Sequence, residues 1–380
     1  MKVEKLSNSV NTKMLLTNLG VDAGGIEILS SKMKHHIIHI KDLHVGAANI
    51  LKQDALSIGA DLAVPRGTVI ATTKTVDCIL IASQKQLQIL SKKELAQPFG
   101  LKEVANKLKD ISKIKMPKIT EIMGVVNANE DSFFNGSRFQ GSEAISTIEK
   151  MIQDGANIID IGGVSSRPNA PKVSIEDELS RIKPILDAIK QNKLYDKARF
   201  SIDSFEPEVI SYALESGFNI VNDITGLEND EVCKLCAEYD ATAVIMHMQG
   251  TPQTMQESPT YSGVLNDVYE FLNQRVLKAE SFGVKDIVVD VGIGFGKTLE
   301  HNLELVKNLE NFLTLDRAIL VGASRKSMID SIYPSSVEDR LPGTLSIHLE
   351  AVRNGASILR VHDVKEHAQA LRVQEALRDY

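Results

Sequence analysis

The chain has 380 residues, 43% of them hydrophobic, which is enough to bury a full core and leaves room for two domains. A net charge of −7 with acids and bases interspersed argues against nucleic acid or an anionic membrane as the main partner, so any anion site has to be local. Cys78, Cys233 and Cys236 cannot build a disulfide framework, the start Met1-Lys2-Val3-Glu4 lacks the apolar run of a signal peptide, and no apolar span reaches the roughly 18 residues that cross a membrane, so a cytoplasmic protein held together by packing is expected.

Taken in chain order, residues 1–115 carry a small α/β alternation. Strands are predicted at His36–Ile40 and Val76–Ala82, and helices at Ala47–Ile58, Gln84–Leu90 and Leu101–Ile111. His35, His36, His39 and His44 are dense, but no cysteine or carboxylate completes a metal spacing and neighbouring strand residues face opposite ways. Surface or half-buried histidines are the expectation. Pro117 disfavours helix before it, which places a boundary between an accessory α/β domain over 1–115 and a larger domain over 116–380.

From Lys118 onward the alternation becomes regular. Strands are predicted at 119–126, 157–161, 198–202, 218–222, 242–246, 285–289, 318–321 and 357–361, and helices at 142–154, 174–190, 206–216, 229–238, 264–282, 299–312, 340–353 and 364–377. Eight of each in 263 residues fit a (β/α)8 TIM barrel, whose closure leaves no edge strand, better than an open doubly wound sheet. Ser142 is expected to cap the first of these helices, and Ser174, with Asp177 three residues on, the second. Cys233-x-x-Cys236 falls inside a helical stretch with no second pair, so it is assigned no zinc or redox role.

Each predicted strand ends in a polar residue where apolar character stops: Asn127, Asp160, Asp203, Asn222 with Asp223, His247, Asp290, Ser324 to Lys326, and Arg360 with His362. In a barrel these ends form one rim and converge on one pocket. An Asp at a strand end is as often the N-cap of the next helix, a reading that applies to Asp160 and Asp223. Asp203, Asn222 and Asp290 suit a flat heterocycle with adjacent N–H donors, and Lys326 offers a donor to its ring oxygen or nitrogen. Arg360 and His362, two apart on one strand and with Arg325 or Arg167 near, suit a phosphate or pyrophosphate. Asn127 is an oxygen ligand that Mg²⁺ can share with phosphate oxygens. The run Val291-Gly292-Ile293-Gly294-Phe295-Gly296-Lys297-Thr298 is one glycine short of a phosphate-binding loop and comes too late for a dinucleotide fingerprint. His247 is expected to be a rim or core histidine.

The chain also resembles a known family. Ile122 to Asn127 followed by Asp131-Ser132-Phe133, Asp160-Ile161-Gly162-Gly163 through Ser166-Arg167-Pro168, Ser201-Ile202-Asp203-Ser204, Asn222-Asp223-Ile224, Met246 to Pro252, Gly294-Phe295-Gly296-Lys297, Ser324-Arg325-Lys326 and Arg360-Val361-His362-Asp363 are similar, in order, to the motifs of the dihydropteroate synthases, pterin-binding barrel enzymes of folate synthesis. The resemblance covers 118–380 and implies condensation of 6-hydroxymethyl-7,8-dihydropterin pyrophosphate with p-aminobenzoate, with Mg²⁺ bound, in a homodimer. It implies that Asp203, Asn222, Asp290 and Lys326 hold the pterin, that Asn127, Arg360 and His362 hold the pyrophosphate and its metal, and that Ser166, Arg167 and Phe295, with Asp131 and Phe133 of the first loop, shape the p-aminobenzoate site where sulfonamides also bind. Asp203, Lys326, Arg360 and His362 are the expected catalytic residues. Ala128-Asn129-Glu130, Val164, Ser166 and Val291 depart from the usual Thr-Pro, Glu, Thr and Pro. Two other readings share Asp203, Asn222 and Asp290: a methyltetrahydrofolate-dependent corrinoid methyltransferase, and a pterin-binding protein without catalysis.

Overall fold

The structure, a computed structural model, describes residues 1–8, 10–128, 137–165 and 172–379. It divides into two compact units, Met1–Lys115 together with the chain end from Glu375, and Met116–Gln374.

The first unit contains α1 (Thr12–Asn18), α2 (Ala23–Met33), β1 (His35–His44), α3 (Val45–Ser57), β2 (Asp61–Ala63), β3 (Thr75–Ser83), α4 (Gln84–Lys93) and α5 (Leu101–Ile111). The three strands form an antiparallel sheet in the order β1-β3-β2, with Ile38 opposite Leu80. Alternation on β3 sends Val76, Cys78, Leu80 and Ala82 inward, where they meet Leu51, Leu87, Leu90, Leu101 and Leu108. Ser83 and Gln86 exchange hydrogen bonds as a capping box that starts α4. His44 caps α3 by accepting from the Gly46 amide at 3.1 Å and stacks on Phe99, so this histidine has a structural part.

The second unit is a closed barrel of eight parallel strands, in which β4 (Glu121–Asn127), β5 (Ile158–Gly162), β6 (Arg199–Asp203), β7 (Ile220–Asp223), β8 (Thr242–Met246), β9 (Ile287–Asp290), β10 (Ala318–Val321) and β11 (Ile358–Val361) follow one another and β11 pairs with β4. The helices between them are α6 (Ser137–Asp154), α7 (Ile175–Gln191), α8 (Pro207–Glu215), α9 (Asp230–Glu238), α10 (Val264–Ser281), α11 (Leu299–Lys307), α12 (Ser327–Ile332), α13 (Leu341–Arg353) and, after β11, α14 (Val364–Asp379). Ser174 does cap α7, its hydroxyl accepting from the Asp177 amide at 3.1 Å. Ser142 does not cap α6, because the helix begins a full turn earlier, at Ser137. The helix expected over 299–312 stops at Lys307 and continues as a 3₁₀ segment, Leu309–Leu315. Cys233 and Cys236 are buried on α9 as free thiols, and burial pushes both up.

Strand alternation positions the site. Met123, Ile158, Ile220, Val244, Val288, Leu320 and Ile358 face inward and plug the barrel with one apolar cluster. Their neighbours, such as Ile159, Val221, Val289 and Leu359, face outward into the core shared with the helices. Two residues past the plug, on the same inward face, stand Asp160, Asn222, Asp290 and Arg360.

Candidate active site

The polar layer is knotted around Arg360. Its Nε donates to Asp160 Oδ2 at 2.7 Å and its Nη2 to Asp203 Oδ2 at 2.6 Å. The Asn222 side-chain amide donates to the same Asp160 oxygen at 3.3 Å. Asp160, reached from a position 200 residues away, is therefore a shared anchor rather than the N-cap of the following helix. Its other oxygen, Oδ1, is buried and has no hydrogen-bond partner among the described residues. Burial, opposed by the Arg360 guanidinium and reinforced by the Asp160 carboxylate, pushes Asp203 up to about 7. Burial works against the charge of Arg360, but the two carboxylates outweigh it and hold its pKa above the ordinary value. Asp223 is different: its carboxylate turns away to accept from the Thr225 amide and hydroxyl and the Leu227 amide, so it organises the next loop.

The loop after β9 is organised by glycine and a buried ammonium. Asp290 Oδ1 accepts from the Gly292 amide at 2.7 Å. Gly292 and Gly296 both have left-handed φ, +67° and +63°, and a Cβ at these sites would meet the main-chain oxygens of His247 and Gln249 at 1.9 and 2.5 Å. The phosphate-loop-like run thus lies against the main chain of the β8 loop. Lys297, 3% exposed, completes the seam by donating to His247 Nδ1 at 2.9 Å, the His247 carbonyl at 3.3 Å and the Phe295 carbonyl at 2.9 Å. While Lys297 carries its charge it only donates, so Nδ1 of His247 is then the acceptor. Burial, helped by Lys297, pushes His247 down to about 3, and burial pushes Lys297 down to about 7. Burial also raises Asp290, against its Gly292 hydrogen bond and the charges of Lys326, Lys297 and Arg360.

The loops after β10 and β11 close the ring. The Lys326 ammonium donates to the Ile293 carbonyl and lies 4.3 Å from the centre of the Phe295 ring. Burial pushes Lys326 down to about 8, with Asp290 pulling the other way. Ser324 Oγ meets His362 Nδ1 at 2.9 Å. Arg325 grips Asp363 with two hydrogen bonds of 2.9 and 2.6 Å, which ties the loop after β10 to the loop after β11.

The structure thus brings Asp203, Asn222, Asp290, Lys326, Phe295 and Arg360 to one mouth, with His362 at its edge and Asn127 on β4, beside β11. Ser166, Arg167, Asp131 and Phe133 lie outside the described residues, as do Asn129 and Glu130 of the altered first loop. Sequence reasoning passed over the anchoring part of Asp160 and the Lys297 seam. The first was legible only as a strand-end acid, and the second needs two loops to be in contact before its spacing means anything. The arrangement sets acid and amide groups beside cationic donors at the carboxyl ends of the strands of one closed barrel, which is the site of a barrel enzyme for a polar small molecule.

The comparisons agree. Residues 123–362 match the sequence profile described as pterin binding enzyme. A Helicobacter pylori protein named bifunctional dihydropteroate synthase/dihydropteroate reductase is 40% identical over 377 residues, 99% of each chain. A Haemophilus influenzae dihydropteroate synthase is 39% identical over 274 residues, covering 71% of this chain and 96% of its own. The crystal structure of the Yersinia pestis dihydropteroate synthase with a sulfonamide drug complex superposes with a TM-score of 0.65 at 33% identity, covering 69% of this chain and 95% of that one. The chain belongs to the pterin binding enzymes and, among them, to the dihydropteroate synthases. Its activity is that transfer in folate biosynthesis, which sets aside the corrinoid methyltransferase and the non-catalytic binder.

Proposed function

We propose that the polar layer divides the synthase reaction between its two flanks. Asp203, Asn222, Asp290 and Lys326 hold the dihydropterin ring, and Arg360 and His362 hold the pyrophosphate. The observation that carries this is the Arg360 knot: a guanidinium held between Asp160 and Asp203 is paired and oriented before substrate arrives, so it costs little reorganisation when a leaving anion takes over its outer N–H groups. The C–O bond to pyrophosphate breaks, the electron-rich ring carries the positive charge, and the aromatic amine forms the new C–N bond and loses a proton. Neutral at pH 7, that amine needs no strong base. In the same proposal Phe295, which lies under the Lys326 ammonium, bounds the p-aminobenzoate site, and Ser166, Arg167, Asp131 and Phe133 are assigned to it from the sequence alone. Sulfonamides, which mimic that substrate, are the expected inhibitors.

Asn127 ends β4, beside the strand that carries Arg360, and offers one neutral oxygen. One protein ligand is enough for Mg²⁺ when phosphate oxygens supply others, so the donor set fits Mg²⁺ that enters with the pyrophosphate and neutralises its charge. A cytoplasmic homodimer belongs to the same proposal. Among the described residues no helix is long and apolar enough to cross a membrane, and Leu303, Ile332 and Tyr333 are exposed on and after α11 and α12. Sedimentation velocity tests the dimer. The decisive test of the whole reading is pyrophosphate release on mixing the protein, Mg²⁺, 6-hydroxymethyl-7,8-dihydropterin pyrophosphate and p-aminobenzoate, with release expected only when all are present. Release that persists after Arg360→Gln at the wild-type rate overturns the division of roles.

A second activity is favoured by one observation. The H. pylori relative named as a reductase as well matches over 99% of this chain and 99% of its own length. We propose that this chain also reduces dihydropteroate. A reduced nicotinamide or flavin would deliver a hydride to the dihydropterin, solvent a proton, and the donor would leave oxidised. Product analysis with NADH or NADPH, with and without added flavin, should show tetrahydropteroate. Dihydropteroate left unchanged under every donor would overturn this second reading.

A further inference from the structure

A buried chain of two histidines ties the turns that carry Lys326 and His362. The amide of Ala323, just past β10, donates to Nε2 of His348 on α13 at 3.0 Å. Nδ1 of His348 lies 2.8 Å from Nε2 of His367 on α14, and Nδ1 of His367 lies 2.6 Å from the carbonyl oxygen of Asp363, just past β11. The ends of this chain set its protons. A peptide N–H only donates and a carbonyl only accepts, so each ring is neutral and carries its proton on Nδ1. Both rings are buried, at 0% and 1% exposure, so a second proton on either would set two donors face to face away from water. One turn before His348 on the same face of α13, buried Thr344 accepts from the Arg325 amide at 2.9 Å. Two positions one helical turn apart therefore hold two amides of one turn, and the third tie, between Asp363 and Arg325, comes from the other turn.

We propose that Thr344, His348 and His367 are positioning residues of the synthase reaction, which hold the Ser324–Lys326 turn and the His362–Asp363 turn in one register through a proton arrangement that only neutral histidines supply. This rests on the assignment of Lys326 to the pterin and His362 to the pyrophosphate. The charged and titratable groups that face the chain are Lys326 and His362 toward His348, and Asp363 and Glu366 toward His367. Burial pushes both rings below the ordinary imidazole range, most strongly at His348. The tie therefore holds through neutral pH and gives way in acid.

The test reads the protons directly. In the full chain labelled with ¹⁵N-histidine, long-range ¹H–¹⁵N correlations should show two rings, lost in turn in His348→Gln and His367→Gln, that are neutral with the proton on Nδ1 and stay so from pH 8 to pH 6. Either ring protonated on Nε2, or titrating like a free imidazole, overturns the proposal. Kinetics then separate positioning from bulk structure. His348→Leu should raise KM for the pterin pyrophosphate about tenfold to hundredfold, as small misplacements of binding groups do. His348→Gln, whose side-chain oxygen still accepts from Ala323, should recover most of that loss. Equal kinetics for the Leu and Gln variants would overturn it as well. Lys326→Met and His362→Gln variants that keep the wild-type rate would strike the residue assignments and, with them, the positioning role, whereas the nitrogen spectra test the proton arrangement separately.

Discussion

Two layers of the same barrel, one side-chain step apart, do opposite work. The lower layer, Met123, Ile158, Ile220, Val244, Val288, Leu320 and Ile358, is apolar and closed. The upper layer, two residues on along the same strands, holds Asp160, Asn222, Asp290 and Arg360. Both are set by the period of two along a strand, and only the residue type changes. The difference teaches where stability ends and chemistry begins: the plug earns its place through area removed from water, while each buried charge in the layer above must be partnered, and the partners fix the geometry that a ligand meets.

The sharpest way to break this contrast is in the upper layer. Arg360→Gln should lower kcat about 10²–10³-fold, the usual loss when a donor to developing negative charge is removed. Its affinity for p-aminobenzoate by calorimetry should barely change, and equal losses in both would count against the two-flank division. In the lower layer, Leu320→Ala should cost about 2–5 kcal/mol in urea unfolding, the range for a buried Leu truncated to Ala, while the folded fraction keeps its kcat. A drop in kcat without a drop in stability would show that the layers are not separable.

Lys297→Met sharpens the contrast between the layers at one seam. It leaves His247 Nδ1 and two carbonyls without their donor and should cost about 1–3 kcal/mol of stability, read from the urea midpoint. Buried polar groups also set the pH response. His247, His348 and His367 all have folded pKa values below the unfolded value of about 6.5, so they bind protons mainly on unfolding. Their contribution is complete above about pH 6.5 and is lost as pH falls toward the folded values, at up to about 1.4 kcal/mol per pH unit for each ring. Raised carboxylates such as Asp203, at about 7, act the other way over this range, so the difference between wild type and variant is the readout: from pH 7 to pH 5 the thermal midpoint of His348→Gln, measured against its own value at pH 7, should lose less or gain more than that of the wild type.

The upper layer was legible in the sequence because strand ends announce themselves: apolar runs stop at Asp203, Asn222, Asp290 and Arg360, and eight such stops imply one rim. What could not be read was pairing across the barrel. Asp160 looks like a helix cap until Arg360, two hundred residues on, is found against it. Lys297 looked like a fragment of a phosphate loop, and only the contact of Gly292 and Gly296 with the β8 loop reveals a seam. His348 and His367 sit at helix positions where a histidine reads as ordinary filler, since their meaning lies in the loops they touch. In the first unit α1, α2 and β2 went unread. Gly24 and Gly25 weaken any helical pattern in α2, and β2 is three residues long.

The account's central claim is that one flank of the mouth takes the ring and the other the leaving anion. A crystal structure with 6-hydroxymethyl-7,8-dihydropterin pyrophosphate bound tests it most directly. It should show the ring on Asp203, Asn222, Asp290 and Lys326, and the phosphates on Arg360 and His362. Phosphates held elsewhere, with Arg360 still bonded only to Asp160 and Asp203, would contradict it.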